Sequence, residues 1–206
     1  MNFIPEDFVE DFYDRDLAVV FKKTKEQFGG LSNMASGYPL LINDKQWRTT
    51  EALYQALRFP DRPDIQEEIR SKASPMAAKM SSKPHRQKLS RADWEEIRID
   101  VMYWCLKVKL FQNSVKFSEL LKSTGKFDIV EESKRDGFWG AIATNSDSLK
   151  GKNVLGKLLM RLRGTIQYHD GQVERPTNDF RKIILLGDLV DSNLIIPNPG
   201  DGTLPF

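Results

Sequence analysis

The chain has 206 residues, 40% of them apolar and 29% charged, with a net charge of +2, enough for a globular protein with a continuous core and too little charge to announce a nucleic-acid binder by itself. A single cysteine, Cys105, excludes an internal disulfide and a multi-thiolate metal site, and two histidines, His85 and His169, leave little for a histidine-based centre. Apolar runs are short and broken by charges, and the opening "MNFIPEDFVEDFYDRD" is acidic rather than basic-then-apolar, so a cytoplasmic protein with no membrane partner is expected.

Residues 1–14 read as an acidic extension. An alternating piece at 17–21 predicts a strand, and "YPLLINDKQW" predicts a hairpin folding back through Asn43-Asp44, both turn-forming residues. A helix is predicted from Thr50 to Phe59, stopping at Pro60, and another begins at Ser74-Pro75, where serine caps and proline suits the first turn. Residues 79–91, "KMSSKPHRQKLSR", hold five cations and no acid; they read as a solvated loop, with a nucleic-acid contact as the alternative. The clearest helix follows Ser90 to about Phe111, because Trp94, Ile97, Val101, Trp104, Cys105 and Val108 recur at three- and four-residue spacing. Ser114 opens a shorter helix with Phe117, Leu120 and Leu121 inward, ended by Gly125, and "KFDIVEES" alternates as a strand leading into "RDGFWG". A last helix near 153–162 gathers Val154, Leu155, Leu158, Leu159 and Leu162, and "KIILLGDLV" with "NLIIP" reads as late strand. The expected class is α+β, a predominantly helical single domain with a few short strands.

Three stretches carry candidate chemistry. On the helix after Arg48, Glu51, Tyr54, Gln55 and Arg58 are spaced three, four and seven apart, which places a carboxylate at the head of one polar stripe. Glu51 either complements the positive helix end or is oriented by Tyr54 and Gln55 for reaction. "FGGLSNM", with Phe28, Gly29, Gly30, Ser32 and Asn33, is either a plain turn or a backbone surface that approaches a phosphate. "LKGKNVLG" sets Lys152 and Asn153 at a helix start, where unpaired amides favour an anion.

The ordered set "FGGLSNM", "W-x-T-x-E-x-x-Y-Q-A", "ASPMAAKM", "D-x-x-W-G" and "GKN-x-LG-x-LLM-x-L-R" resembles the NADAR, or YbiA-like, family across residues 15–168, leaving 169–206 as a C-terminal extension. The resemblance implies a compact α+β N-glycosidase associated with ADP-ribose metabolism. Some members cleave early riboflavin-pathway intermediates; others remove ADP-ribose from guanine in nucleic acid, including antitoxins of DNA-modifying ADP-ribosyltransferase toxins. Two departures stand out: the family's Ser-Glu-His-Tyr-Phe-Gln is Thr50-Glu51-Ala52-Leu53-Tyr54-Gln55 here, and its Met-Gly-Arg is Met80-Ser81-Ser82. Together with the tail beyond Gln167, they tilt the resemblance toward the ADP-ribose-removing branch.

Cleaving a ribose–nitrogen bond builds positive charge on the sugar, which calls for a carboxylate and a proton donor or water activator. By resemblance Glu51 and Asp136 are the two carboxylates, with acid and base unassigned, and Lys152 either attacks an opened ribose as an amine or holds a diphosphate. Gly29, Gly30, Ser32 and Asn33 are expected at ribose or diphosphate, Trp139 and Phe28 against a ring or sugar, and Arg58 and Asn153 at polar edges. A modified base must be exposed to react, so a single-stranded DNA substrate is expected, with Lys83, Arg86 and Lys88 on its backbone. No cofactor and no metal is implied. The expected partners are ADP-ribose-modified nucleic acid and a cognate ADP-ribosyltransferase toxin. The alternatives are an N-glycosidase of phosphorylated riboflavin intermediates and a non-catalytic ADP-ribose-binding or toxin-neutralising module.

Overall fold

The computed structural model describes residues 3, 8–168, 173–177 and 182–197, so His169 and the end of the expected C-terminal extension lie outside the described residues. In chain order the strands are β1 (Asp11–Asp14), β2 (Ala18–Phe21), β3 (Leu40–Ile42), β4 (Lys45–Trp47), β5 (Asp128–Glu131), β6 (Ile142–Ala143), β7 (Ser148–Gly151), β8 (Ile184–Leu185) and β9 (Asp188–Leu189). The helices are α1 (Thr50–Ala56), α2 (Pro63–Ser71), α3 (Pro75–Ser82), α4 (Arg86–Leu89), α5 (Trp94–Gln112), α6 (Ser114–Ser123) and α7 (Val154–Tyr168). Short strands among longer helices bear out the α+β class. Among the described residues no helix is long and apolar enough to cross a membrane. Two compact units emerge, one from residues 33–114 with the described residues from 174 onward, the other from the described residues within 3–32 and 115–173.

The first unit is built around α5. The predicted stripe of Trp94, Ile97, Val101, Trp104, Cys105 and Val108 is buried along its whole length. Hairpin β3–β4 turns through Asn43 and Asp44 with φ of 49° and 56°, the left-handed pair that a two-residue hairpin turn requires. Thr49 caps α1 through its hydroxyl, which accepts from the Ala52 amide at 3.2 Å, and Ser74 caps α3 in the same manner. Helix α2 shows no apolar period in the sequence because its charged length offers only Ile65 and Ile69 as apolar residues to the core. Within the segment 79–91, residues 79–89 are corrected from a loop to helix: α3 runs on through a 3-10 turn at Lys83–His85 into α4, and only Ser90 and Arg91 leave it. Buried Gln66 donates to the Ala56 and Ile184 carbonyls and accepts from the Leu186 amide, fastening the β8–β9 hairpin to α1 and α2.

In the second unit, β1, β7 and β6 form an antiparallel sheet in that order, and β2 pairs in parallel with β5. Residues 11–14 are thus a sheet strand rather than part of an appended acidic segment, since Tyr13 buries on Val130 and Leu149 while the flanking acids point outward. Gly125, at φ 60°, closes α6 as predicted. Helix α7 packs on β5, where Gly156 admits the close approach: a Cβ there would meet the Ile129 carbonyl oxygen at 1.9 Å.

Glu132, just after β5, accepts from Lys22 at 2.6 Å and Arg15 at 2.9 Å. The Lys22 bond, aided by Arg15, holds its carboxyl below the ordinary range against the opposing effect of burial. A depressed folded value means that this stabilisation is complete above the unfolded carboxylate range and is lost as pH falls through the folded value. Glu132→Gln is expected to cost about 1 kcal/mol at pH 7 and to flatten the acid loss of stability between about pH 5 and 3, measured by urea unfolding.

Candidate functional site

The polar stripe of α1 lies inside the first unit, not on its surface. Glu51, Tyr54 and Gln55 are each about 5% exposed or less, and the Glu51 amide is held by the Asn33 carbonyl at 3.0 Å. Glu51 Oε1 accepts from Gln55 Nε2 at 3.0 Å and stands 3.7 Å from Lys79 Nζ. Gln55 is fixed in that orientation because its Oε1 accepts from Ser82 Oγ at 2.9 Å and from Arg86 Nη2 at 3.0 Å, leaving its amide hydrogens for the carboxylate. Glu51 and Gln55 of the predicted face therefore converge with Arg86. Lys79 and Ser82, which sequence reasoning left without a role, complete the group. Their three-residue spacing on α3 was the available signal.

Arg86 was expected on a nucleic-acid backbone. Its guanidinium instead bonds Gln55 and Ser82, because α4 turns it back toward α1; Lys83 and Lys88 remain exposed. Arg58 stacks over the Trp94 ring at 4.8 Å, and Trp94 also packs against Tyr54 at 5.2 Å between centroids. Burial, followed by the charge of Glu51, pushes the Tyr54 phenol well above its usual range, so it is a neutral donor at working pH. Asn33 Oδ1 is buried without a hydrogen-bond partner among the described residues, while its Nδ2 donates to Met102 Sδ at 2.8 Å. A buried carboxylate whose orientation is fixed by Gln55 is suited to stabilising positive charge on a sugar.

In the second unit, Asp136 Oδ1 accepts from the amides of Phe138 at 3.0 Å and Trp139 at 2.9 Å, winding "RDGFWG" into a tight loop. Phe138 and Trp139 meet edge to face at 5.1 Å, both half-buried. The loop's carbonyls also correct the anion expectation at the start of α7. The amides of Lys152, Asn153, Val154 and Leu155 donate to Gly137, Gly140, Phe138 and Trp139, so they are not free for an anion. Asn153, at φ 48° and fully buried, ties β5 through Ile129 O and the Glu131 amide instead of meeting a ligand edge. Lys152 Nζ lies 5.9 Å from the Phe138 ring centroid.

Gly29, Gly30 and Leu31 make a 3-10 turn, and a Cβ on Gly29 would fall 2.4 Å from the Thr24 carbonyl, so this glycine serves the chain's own crossing. Ser32 is buried beside it. Phe28 lines an open groove of about 470 Å³ with Arg15, Val19, Val20 and Glu26.

Comparison with known proteins follows these same segments. Residues 20–167 match the NADAR domain. N-glycosidase YbiA of Escherichia coli K12 is 36% identical over 149 residues, covering 72% of this chain and 88% of that protein. The chloroplastic riboflavin biosynthesis protein PYRR of Zea mays is 35% identical over 161 residues, covering 72% of this chain and 25% of that protein. The NMR structure of E. coli YbiA aligns with a TM-score of 0.61 at 31% identity, covering 82% of this chain and 97% of that one. Because the match runs through the α1 carboxylate, the α3 basic segment and the capped start of α7 alike, the chain belongs to the NADAR family.

Proposed function

We propose that this chain is an N-glycosidase that hydrolyses the bond between ribose C1 and a base nitrogen, and that its substrate is ADP-ribosylated guanine in DNA. The observation that carries the reading is the burial of Glu51 in a hydrogen-bonded network with Gln55, Ser82 and Arg86. As the C1–N bond breaks, the bonding pair leaves with the base, a proton restores the base nitrogen, and water supplies the oxygen to C1. Glu51 opposes the charge that develops at C1. Asp136 serves by holding its loop, and Lys152 by presenting its ammonium beside Phe138.

Relatives named for N-glycosidase activity support the reaction class. The guanine substrate rests on the altered α1 and α3 motifs and on the exposed Lys83 and Lys88. The second reading, cleavage of phosphorylated riboflavin intermediates, is favoured by the relatives from Zea mays and Vibrio vulnificus that are named as riboflavin biosynthesis proteins. Incubation with a guanine-ADP-ribosylated oligonucleotide should release free ADP-ribose, and Glu51→Ala should not. Turnover of a ribosylamine phosphate with none on the oligonucleotide would select the second reading. Activity on DNA should fall steeply with salt, and Lys83→Gln with Lys88→Gln should reduce that slope by about 2; a salt-independent rate removes these lysines from the DNA interface.

A further inference from the structure

We propose that Arg86 is a positioning residue for the reaction: acting through Gln55, it fixes the Glu51 carboxylate so that Oε2 is the oxygen turned to the substrate. Glu51 and Gln55 lie one turn apart on α1, and both are buried. A glutamine side chain can present either its amide or its carbonyl to a neighbour, and that choice decides whether it attracts or repels a carboxylate. Here Arg86 makes the choice. A guanidinium has donors only, so the Gln55 atom 3.0 Å from Arg86 Nη2 is the carbonyl oxygen. Ser82 Oγ donates to that same oxygen at 2.9 Å. The amide is left facing Glu51, where Nε2 donates to Oε1 at 3.0 Å. Turned over, the side chain would set its amide against a guanidinium and its carbonyl against a carboxylate, two repulsions in place of two hydrogen bonds.

Arg86 is itself held in place. Its Nε and Nη2 donate to Ser82 Oγ at 3.1 and 2.8 Å, and Nη2 also reaches the Lys79 carbonyl at 3.3 Å. Ser82 is fully buried four residues before it, so the fork is anchored to α3 rather than free to swing toward solvent. Because the donor at one end of the Gln55 side chain is a cation, it polarises the amide and strengthens the bond at the other end.

The two oxygens of Glu51 are thereby made different. Oε1 takes the Gln55 amide and lies 3.7 Å from Lys79 Nζ, while Oε2 makes no hydrogen bond among the described residues. Oε2 keeps its acceptor capacity for the charge developing at C1. That last step rests on the N-glycosidase reading; the hold of Arg86 on the carboxylate does not.

A double-mutant cycle on the full chain tests it. Arg86→Gln should lower kcat by about tenfold or more while KM changes less than about threefold, because a misplaced carboxylate costs rate rather than binding. In a Gln55→Ala background the same change should cost less than about twofold, since Arg86 has lost the group it acts through. Ser82→Ala removes the other donor to the same oxygen, and its smaller loss should vanish in that background too; it serves if the arginine variant melts early. An equal loss in both backgrounds, or a rise in KM at unchanged kcat, would mean that Arg86 acts on the substrate directly and overturns the assignment. The orientation is also read without turnover. By NMR the Gln55 side-chain amide protons should exchange slowly with solvent, and Arg86→Gln should speed that exchange by about tenfold or more; unchanged exchange overturns the assignment. Protection that depends on Arg86, in a protein that leaves N-ribosyl bonds intact, keeps the hold on Glu51 and removes the glycosidase reading. Cleavage at a kcat indifferent to Arg86 does the reverse.

Discussion

Glu51→Gln is expected to lower kcat about 100- to 1,000-fold while leaving the protein folded, because it removes one negative charge from a buried site and keeps the shape and an acceptor oxygen for Gln55. The size follows from the surroundings. Stabilisation of positive charge is stronger where water is excluded, and Glu51 is only 5% exposed. KM should change far less than kcat, since the charge on the sugar develops in the transition state. Single-turnover kinetics on the ADP-ribosylated oligonucleotide, with a thermal melt on the same sample, separates the two effects. A variant that turns over at the native rate would mean that Glu51 only neutralises Lys79 and Arg86, and the reading of α1 as a reactive face would fall.

Asp136 separates by the choice of replacement. Its Oδ1 takes two backbone amides, and the carbonyls of that same loop cap the first turn of α7. Asp136→Ala should therefore cost about 1–3 kcal/mol, because two amides lose their acceptor and the cap loosens with them. Asp136→Asn keeps an acceptor oxygen and should cost well under half as much. If the loop brace is its whole role, Asp136→Asn also keeps most of the activity. A stable asparagine variant with activity down a hundredfold would instead make the carboxylate a proton carrier. Urea unfolding and initial rates on the three proteins decide between these.

Much of this was legible in local sequence. The α5 stripe, the Asn43-Asp44 turn, the Ser74 cap and the Gly125 stop all involve residues within a few positions of each other, and their geometry follows from helix periodicity and from which residues accept left-handed backbone. The grouping of Glu51, Tyr54, Gln55 and Arg58 was legible for the same reason. The burial of that face was not, because a polar stripe reads as solvated unless something distant covers it. Arg86 could not be read as a partner of Gln55, 31 positions away, from a run that looks like a basic loop.

The first turn of α7 shows the same division. Sequence alone determined that a helix begins near Asn153 and that its leading amides need acceptors, because every helix leaves them unpaired. Only the tertiary structure decided that the acceptors are the carbonyls of Gly137, Phe138, Trp139 and Gly140, and that the glycines of "RDGFWG" and "GKNVLG" let two backbones touch. The physical reason is range: periodicity, capping and turn preference act over a few residues, whereas the partner of a buried charge or an open amide is chosen by chain crossings that no local pattern records.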